Sequence, residues 1–380
     1  MKIAIVRRRY DPLGGGAERY SHRLVEGLIN KGYSVTVYAE KFSNVPDEVK
    51  LVKVPKAFFT LCKTAAFAKK TAKILNRDEY DVVVALSRFL GADIYRQAEQ
   101  IHKYWLEEIG YVKGYSLNPR HLGILEIERQ LFKVENTTQV VTNSNLIKEQ
   151  IVGLFNYPED RVNVIYNGLD KSVFYRYNSN KVKDDLLSEF NVPKGSNVLS
   201  LVAYNFDIKG VKEAICSIFA LPQDLKSKTY LFVVGGGDIP TFKKLAESMG
   251  LGKQIIFVGK SGRVADFFNS SDLFLFPTMY EPFANVCLEA TACGLPVLTT
   301  LENGFSGLIS DGENGFTVPR ASDVELIKEK IETFFRLSKG ERCKLSEQAE
   351  AIANGFSWEK HCSEFIDLIE ITAESKKNGN

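Results

Sequence analysis

"DLFLFPTMYEPFANVCLEATACGLPVLTT", residues 272–300, decides how this chain is read. Its opening, 272–277, is a bulky apolar run and reads as a buried strand. Its close, "PVLTT" at 296–300, reads as another. The helix expected between them is apolar except for two carboxylates, Glu281 and Glu289. Two apolar strands joined by a helix pair in parallel, in a sheet covered on both faces. An unpaired carboxylate is costly to bury among such neighbours, so the two glutamates need a task. Glu281 precedes Pro282, a residue that favours the first turn of a helix. Glu281 is therefore expected at the strand's C-terminal edge, where parallel sheets hold ligands. Glu289 is expected two turns along, roughly 10 Å up the helix axis. One carboxylate can grip a vicinal diol such as a ribose and the other the hydroxyls of a sugar. Helix N–H groups near Phe283, Ala284 and Asn285 would lie between them. Capping or salt-bridged glutamates are the plainer alternative.

The same alternation runs through the chain. "KIAIV" (2–6), "SVTVYAE" (34–40), "YDVVVAL" (80–86) and "TQVVTNS" (138–144) read as strands of a first sheet. "NVLSLVAY" (197–204), "TYLFVVGGG" (229–237) and "QIIFVG" (254–259) join 272–277 and 296–300 in a second. "RYNSNKVKDD" (176–185) is polar, without apolar periodicity, and reads as a linker. The fold class is α/β, with two doubly wound domains in tandem and a ligand cleft expected between them.

The chain has 380 residues, 44% hydrophobic and 25% charged, the composition of a globular two-domain protein. No apolar run reaches the roughly 20 residues that cross a bilayer. "MKIAIVRRRY" reads as a first strand, not a signal peptide, so a cytoplasmic protein is expected. Six cysteines without a CxxC pair read as reduced thiols, and four histidines show no metal-ligand spacing. Net charge is +2; residues 1–170 carry 25 Lys+Arg against 20 Asp+Glu and the rest 24 against 27. The first half thus leans towards an acidic partner or an anionic membrane surface. No nucleic-acid partner is expected.

Two loops could meet phosphate. Gly14-Gly15-Gly16 follows the first strand and opens a helix, so backbone can approach a ligand and unpaired N–H groups can face an anion. The loop is neither GxGxxG nor Walker A, and a flexible turn is the alternative. Lys209-Gly210 sits where a strand of the second half gives way to a helix. A cation there could face a phosphate; a solvated lysine is the alternative.

GGGAER, then NGLD (167–170), KG (209–210), VGGG (234–237) and E-x7-E ending in CGLPVLTT occur in register over the whole chain. This order resembles the retaining glycosyltransferases of GT-B fold, family 4. "ADIYRQAEQIHKYW" (92–105) and the total length further resemble the branch of lipopolysaccharide core glucosyltransferases of the WaaG type. The resemblance implies two Rossmann-like domains facing across a cleft. Residues 1–170 would be the acceptor side, with a C-terminal helix (359–380) packing back on it, and 171–358 would hold the nucleotide sugar. It implies transfer of a hexose, glucose from a UDP donor, to a saccharide or lipid-linked saccharide of the cell envelope. It also implies no cofactor and no metal; the chain contains no Asp-x-Asp pair. Glu289 would hold the ribose and Glu281 the donor sugar. Main-chain N–H groups of Phe283, Ala284 and Asn285 would face the donor. Lys209 with Gly15 and Gly16 would neutralise the diphosphate, and Arg263 would lie by the base.

The arginine that many members pair with the KG lysine is Ile208 or Tyr204 here. Its charge would then fall to Arg7, Arg8 or Arg263. Glu99-Gln100 stands where the branch often has Asp-Gly. His102 is a candidate for the catalytic or acceptor pocket, against a structural histidine. Residues 53–75 carry six lysines and no acid, with Phe58, Phe59, Leu61, Phe67 and Leu75. Such a segment could grip an anionic membrane, at about 1 kcal/mol per well-placed lysine, or be a helix with a solvated basic face. A sugar-nucleotide epimerase and a non-catalytic sugar-nucleotide-binding protein are the competing functions.

Overall fold

The computed structural model describes residues 1–56, 62–110 and 114–378. The chain forms two compact units, one of Met1–Gly168 with Trp358 onward, the other of Leu169–Ser357. Each is a Rossmann-like α/β unit.

The strands of the first unit are β1 (Lys2–Val6), β2 (Arg9–Tyr10), β3 (Ser34–Ala39), β4 (Lys41–Phe42), β5 (Lys50–Lys53), β6 (Val82–Ala85), β7 (Ala92–Gln97), β8 (Thr137–Thr142) and β9 (Val162–Val164). Seven make a parallel sheet in the order β5-β3-β1-β6-β7-β8-β9, and β2 pairs with β4. Ile5 of β1 stands beside Val37 on one side and Val84 on the other. All three are fully buried, as apolar strands between two helical layers must be. The helix Gly16–Asn30 buries Tyr20, Leu24, Val25 and Leu28 on one face. The C-terminal helix Trp358–Lys377 sinks Phe365, Ile366, Ile369 and Ala373 into the same core. Gly168 of NGLD has a packing reason: a Cβ there would lie 2.6 Å from the Trp358 ring.

The second unit has β10 (Asn197–Ala203), β11 (Thr229–Gly235), β12 (Ile255–Gly259), β13 (Leu273–Phe276), β14 (Val297–Thr300) and β15 (Gly315–Val318). Their order is β12-β11-β10-β13-β14-β15, parallel throughout. In both sheets the chain winds outward from a central strand and then reverses. The reversal falls between β1 and β6 in one unit and between β10 and β13 in the other. Such switch points open a crevice beyond the strand C-termini.

Three readings are corrected. Residues 181–189, part of the polar stretch read as a linker, form a helix anchored by buried Leu186 and Leu187. Only three apolar positions in nine, Val182, Leu186 and Leu187, left little periodicity to see. β7 was not read as a strand because Asp93, Arg96 and Gln97 interrupt its apolar pattern. Asp93 is buried and satisfied: its carboxylate accepts from Val83 N at 2.7 Å, Arg77 at 2.8 Å and Lys376 at 3.2 Å. Third, Pro282 does not open the helix before Glu289. That helix runs Asn285–Ala292, with Ala284 as its N-cap. Of the nine residues from Glu281 to Glu289 only the last five are helical, so Glu289 stands about 6 Å along the axis.

No described helix is long and apolar enough to cross a membrane. In the basic segment, Lys63–Ile74 is a helix that buries Phe67, Ala68 and Thr71; Phe58, Phe59 and Leu61 lie outside the described residues.

Candidate active site

In the second unit, Lys209 follows β10 and Glu281 follows β13, one on each side of the switch point. Their loops are stitched together. Met279 N donates to Ile208 O at 2.8 Å, and Thr278 Oγ1 donates to the same carbonyl at 3.0 Å. This approach requires Gly210. Its φ is +73°, and a Cβ there would sit 1.9 Å from Pro277 O. The KG glycine thus sets the distance between loops, and the lysine before it forms an ion pair with Glu281. Both side chains are about four-fifths buried. Gly235 of VGGG (φ +124°) leaves room in the same way for Ala203 O, which its Cβ would meet at 1.8 Å.

Glu281 is held by its backbone. Its N donates to Glu302 O and its carbonyl accepts from Gly304 N, each at 2.9 Å, making a one-residue parallel bridge to Asn303. Asn303 is fully buried. Its Oδ1 accepts from Ala284 N at 3.3 Å and Phe305 N at 3.1 Å. Its Nδ2 donates to Thr299 Oγ1 at 3.0 Å and reaches Cys287 Sγ at 3.5 Å. One amide therefore ties together β14, the Glu281–Ala284 turn and the helix that carries Glu289. The sequence reading stopped at "LTT" and missed it. Its only signal was an Asn-Gly pair just beyond a strand, which reads as a turn.

The donor residues named from sequence fall as follows. Ala284 N is already taken by Asn303. Phe283 is buried, its ring 5.8 Å from Phe305. Asn285 is exposed at the first helical position, and Glu289 is half-buried one turn on. Cys287 beneath them is fully buried, and burial pushes its thiol well above the ordinary range, so it is an inert core group. Arg263, N-cap of the helix Val264–Ser270, has its guanidinium engaged by both oxygens of Glu189 at 2.7 and 3.0 Å. The positions of the absent arginine supply no charge. A cation unforeseen from sequence, Lys260, lies nearby: a Cβ on Gly236 would meet its Cε at 3.5 Å, beside the exposed Tyr204 ring. Lys260 forms no ion pair among the described residues. Among those residues no cluster of His, Cys, Asp or Glu has metal-binding geometry.

Gly15, Gly16 and His102 belong to the first unit. Gly15 is the N-cap of its first helix, and Gly16 faces open space. The Glu18 carboxylate reaches back to within 3.2 Å of a Gly15 Cβ, placing a negative charge at the loop. His102 is buried, with its backbone N on Glu128 at 2.8 Å and its ring Nε2 3.0 Å from His121 Nδ1. Burial, aided by Arg88, pushes His102 down to about 4, so its ring is neutral at physiological pH.

The second of two Rossmann-like units thus carries a parallel-sheet crevice edged by a paired lysine and glutamate, and the comparisons with known proteins place such a chain among the glycosyltransferases of GT-B fold. The chain belongs to that class: residues 14–173 match the Glycosyltransferase Family 4 model and residues 182–352 the Glycosyl transferases group 1 model. It is 28% identical to an uncharacterized glycosyltransferase of Methanocaldococcus jannaschii over 84% of this chain and 85% of that one. It is 26% identical to the lipopolysaccharide glucosyltransferase WaaG of Escherichia coli, over 87% and 88% of the two chains. The WaaG crystal structure superposes with a TM-score of 0.80 at 24% identity, over 97% of this chain and 99% of that one. HepE of Anabaena, crystallised in complex with UDP and glucose, gives 0.73 at 18% identity, over 97% and 99%.

Proposed function

We propose that this glycosyltransferase moves a hexose, glucose, from a UDP-linked donor to a saccharide or lipid-linked saccharide, with retention at the anomeric carbon and without a metal. The observation that carries this reading is the Lys209–Glu281 pair across the switch point, with Glu289 one helical turn beyond. WaaG is named a glucosyltransferase and HepE was crystallised with UDP and glucose, which supports the choice of donor.

In this reading Glu289 binds the ribose diol and Glu281 the hydroxyls of the hexose. Lys209, freed in part from Glu281, meets the diphosphate, and Lys260 supplies the second charge. The bond from the anomeric carbon to the phosphate oxygen breaks with its electron pair moving to the phosphate. The acceptor hydroxyl attacks from the same face and gives its proton to the departing phosphate oxygen. Fixed positive charge at the leaving group lowers this barrier, a term worth several kcal/mol in a preorganised site. The working compartment in this reading is the cytoplasm, at the inner face of the membrane if the acceptor is lipid-linked.

UDP release from UDP-glucose tests this without knowledge of the acceptor. Slow hydrolysis that survives EDTA and disappears in Lys209→Ala is expected. EDTA-sensitive release, or release unaffected by the substitution, contradicts the scheme.

A further inference from the structure

The first unit has its own switch-point crevice, and it is lined by arginines. Arg7 follows β1, Arg88 follows β6 and Arg96 lies on β7. They border a small cavity of about 60 Å³ together with Tyr20, Ser87, Tyr95 and the carboxylate-bearing Glu99, several times the ~15 Å³ that one water requires. Arg88 is paired, with Glu99 at 2.7 Å and Glu128 at 3.2 Å. The other two are not. The Arg7 guanidinium donates to a carbonyl, Leu86 O at 2.7 Å. Arg96 donates to Asn167 Oδ1 at 2.6 Å and stacks on the Tyr20 ring at 3.6 Å. Neither has an ion-pair partner among the described residues. Glu99 and Glu18 act on Arg7 only at longer range. The Nε atoms of all three guanidinium groups are buried and have no hydrogen-bond partner among the described residues.

Burying guanidinium groups without a carboxylate is costly, and leaving their donors unmade adds to the cost. Burial lowers the pKa of Arg7 and Arg96; Arg8 lowers that of Arg7 further and Arg7 that of Arg96, while Glu99 opposes the shift of both. A core evolved for stability alone has no use for this. A rigid guanidinium fork is suited to a planar or tetrahedral oxyanion.

We propose that this crevice binds an oxyanion, a phosphate or carboxylate group, carried by the acceptor. The substrate is then an anionic saccharide, with its charged group on Arg7 and Arg96 and its reacting hydroxyl directed outward. Arg88, fixed by Glu99 and Glu128, is the wall of the site. The inference rests on the reading of the second unit as the donor side.

The test is a thermal-shift titration of the full chain with inorganic phosphate at constant ionic strength, and separately with UDP-glucose. Wild type, Arg7→Gln, Arg96→Gln, Glu289→Ala and Lys209→Ala are compared, with the ligand-free melting temperature as the fold control and Arg7→Lys as the charge-retaining variant. Saturable stabilisation by phosphate is expected in wild type and Glu289→Ala. Its half-saturation should weaken roughly tenfold or more in the two glutamine variants and be partly restored in Arg7→Lys. UDP-glucose should still stabilise the glutamine variants. No phosphate effect in wild type, or an equal one in the glutamine variants, overturns the proposal. So does a UDP-glucose response lost in Arg7→Gln as fully as in Lys209→Ala, since the anion would then be the donor's diphosphate. An unchanged UDP-glucose response in Glu289→Ala defeats the donor-site reading instead, and leaves the phosphate arms to stand or fall by themselves.

Discussion

Lys209 and Glu281 stand on the two loops that leave the second sheet on either side of its switch point, and their side chains form an ion pair. The pair adds little to stability, because each partner is desolvated to make it. Its effect is to hold an ammonium and a carboxylate where a ligand entering the crevice must meet both. Lys209→Ala leaves the Glu281 carboxylate without its partner and should lower stability by about 3 kcal/mol; in the folded protein turnover should fall on the order of 100-fold. Steady-state transfer or donor hydrolysis checks this, and near wild-type turnover would remove Lys209 from the reaction.

Gly210→Ala asks whether the spacing matters apart from the charge. The new Cβ would lie 1.9 Å from Pro277 O at a φ of +73°, so the loops must separate. The expected cost is more than about 1 kcal/mol of stability, with kcat reduced although Lys209 is intact. Urea denaturation beside kinetics reads both; an unchanged kcat would show that loop spacing is not critical.

Asn303→Ala should destabilise the second unit by about 3 kcal/mol, since it strands the buried N–H groups of Ala284 and Phe305. It should also weaken donor binding by loosening the turn from Glu281 to the Glu289 helix. A variant with wild-type stability would mean that other groups satisfy these donors.

Acid should unfold the first unit through two histidines. His361 is buried, donates from Nδ1 to Tyr166 O at 2.6 Å and accepts from Tyr20 OH at 2.8 Å. Burial and Arg96 push it from an ordinary 6.5 down to about 4, as burial does for His102. The unfolded chain binds these protons first. Their stabilisation is thus complete above about pH 6.5 and is lost as pH falls through 4, on the order of 3 kcal/mol per histidine. Both tryptophans, Trp105 and Trp358, lie in the first unit, so their fluorescence follows it in urea. The stability slope between pH 6.5 and 4 should be shallower by about one proton in His361→Gln. An equal slope in the two proteins contradicts this assignment.

The parts that were legible in the sequence are those fixed by local chemistry. β1, β6, β11 and β13 announced themselves as apolar runs because parallel strands are buried on both faces. Lys209, Glu281 and Glu289 stood out because charge is rare among such runs. What was hidden depends on contacts between distant segments. β7 looked unlike a strand because Asp93 draws its partners from β6, the turn before it and the last helix. Asn303 looked like a turn residue, and its four contacts come from folding. Arg7, Arg88 and Arg96 were scattered over ninety residues and met only when the sheet order placed β1 beside β6 and β7. Arg263 was singled out as a phosphate or base ligand, and nothing local revealed Glu189 as its partner.

The most direct measurement is a thermal-shift comparison of UDP-, GDP- and ADP-sugars on wild type and Glu289→Ala. A donor at about 100 times its Kd stabilises a folded protein by roughly 2.7 kcal/mol. The account predicts a clear shift with the UDP-sugar in wild type and its loss in Glu289→Ala. No shift with any nucleotide sugar, or an equal shift in the variant, would contradict the claim that this crevice is the donor site.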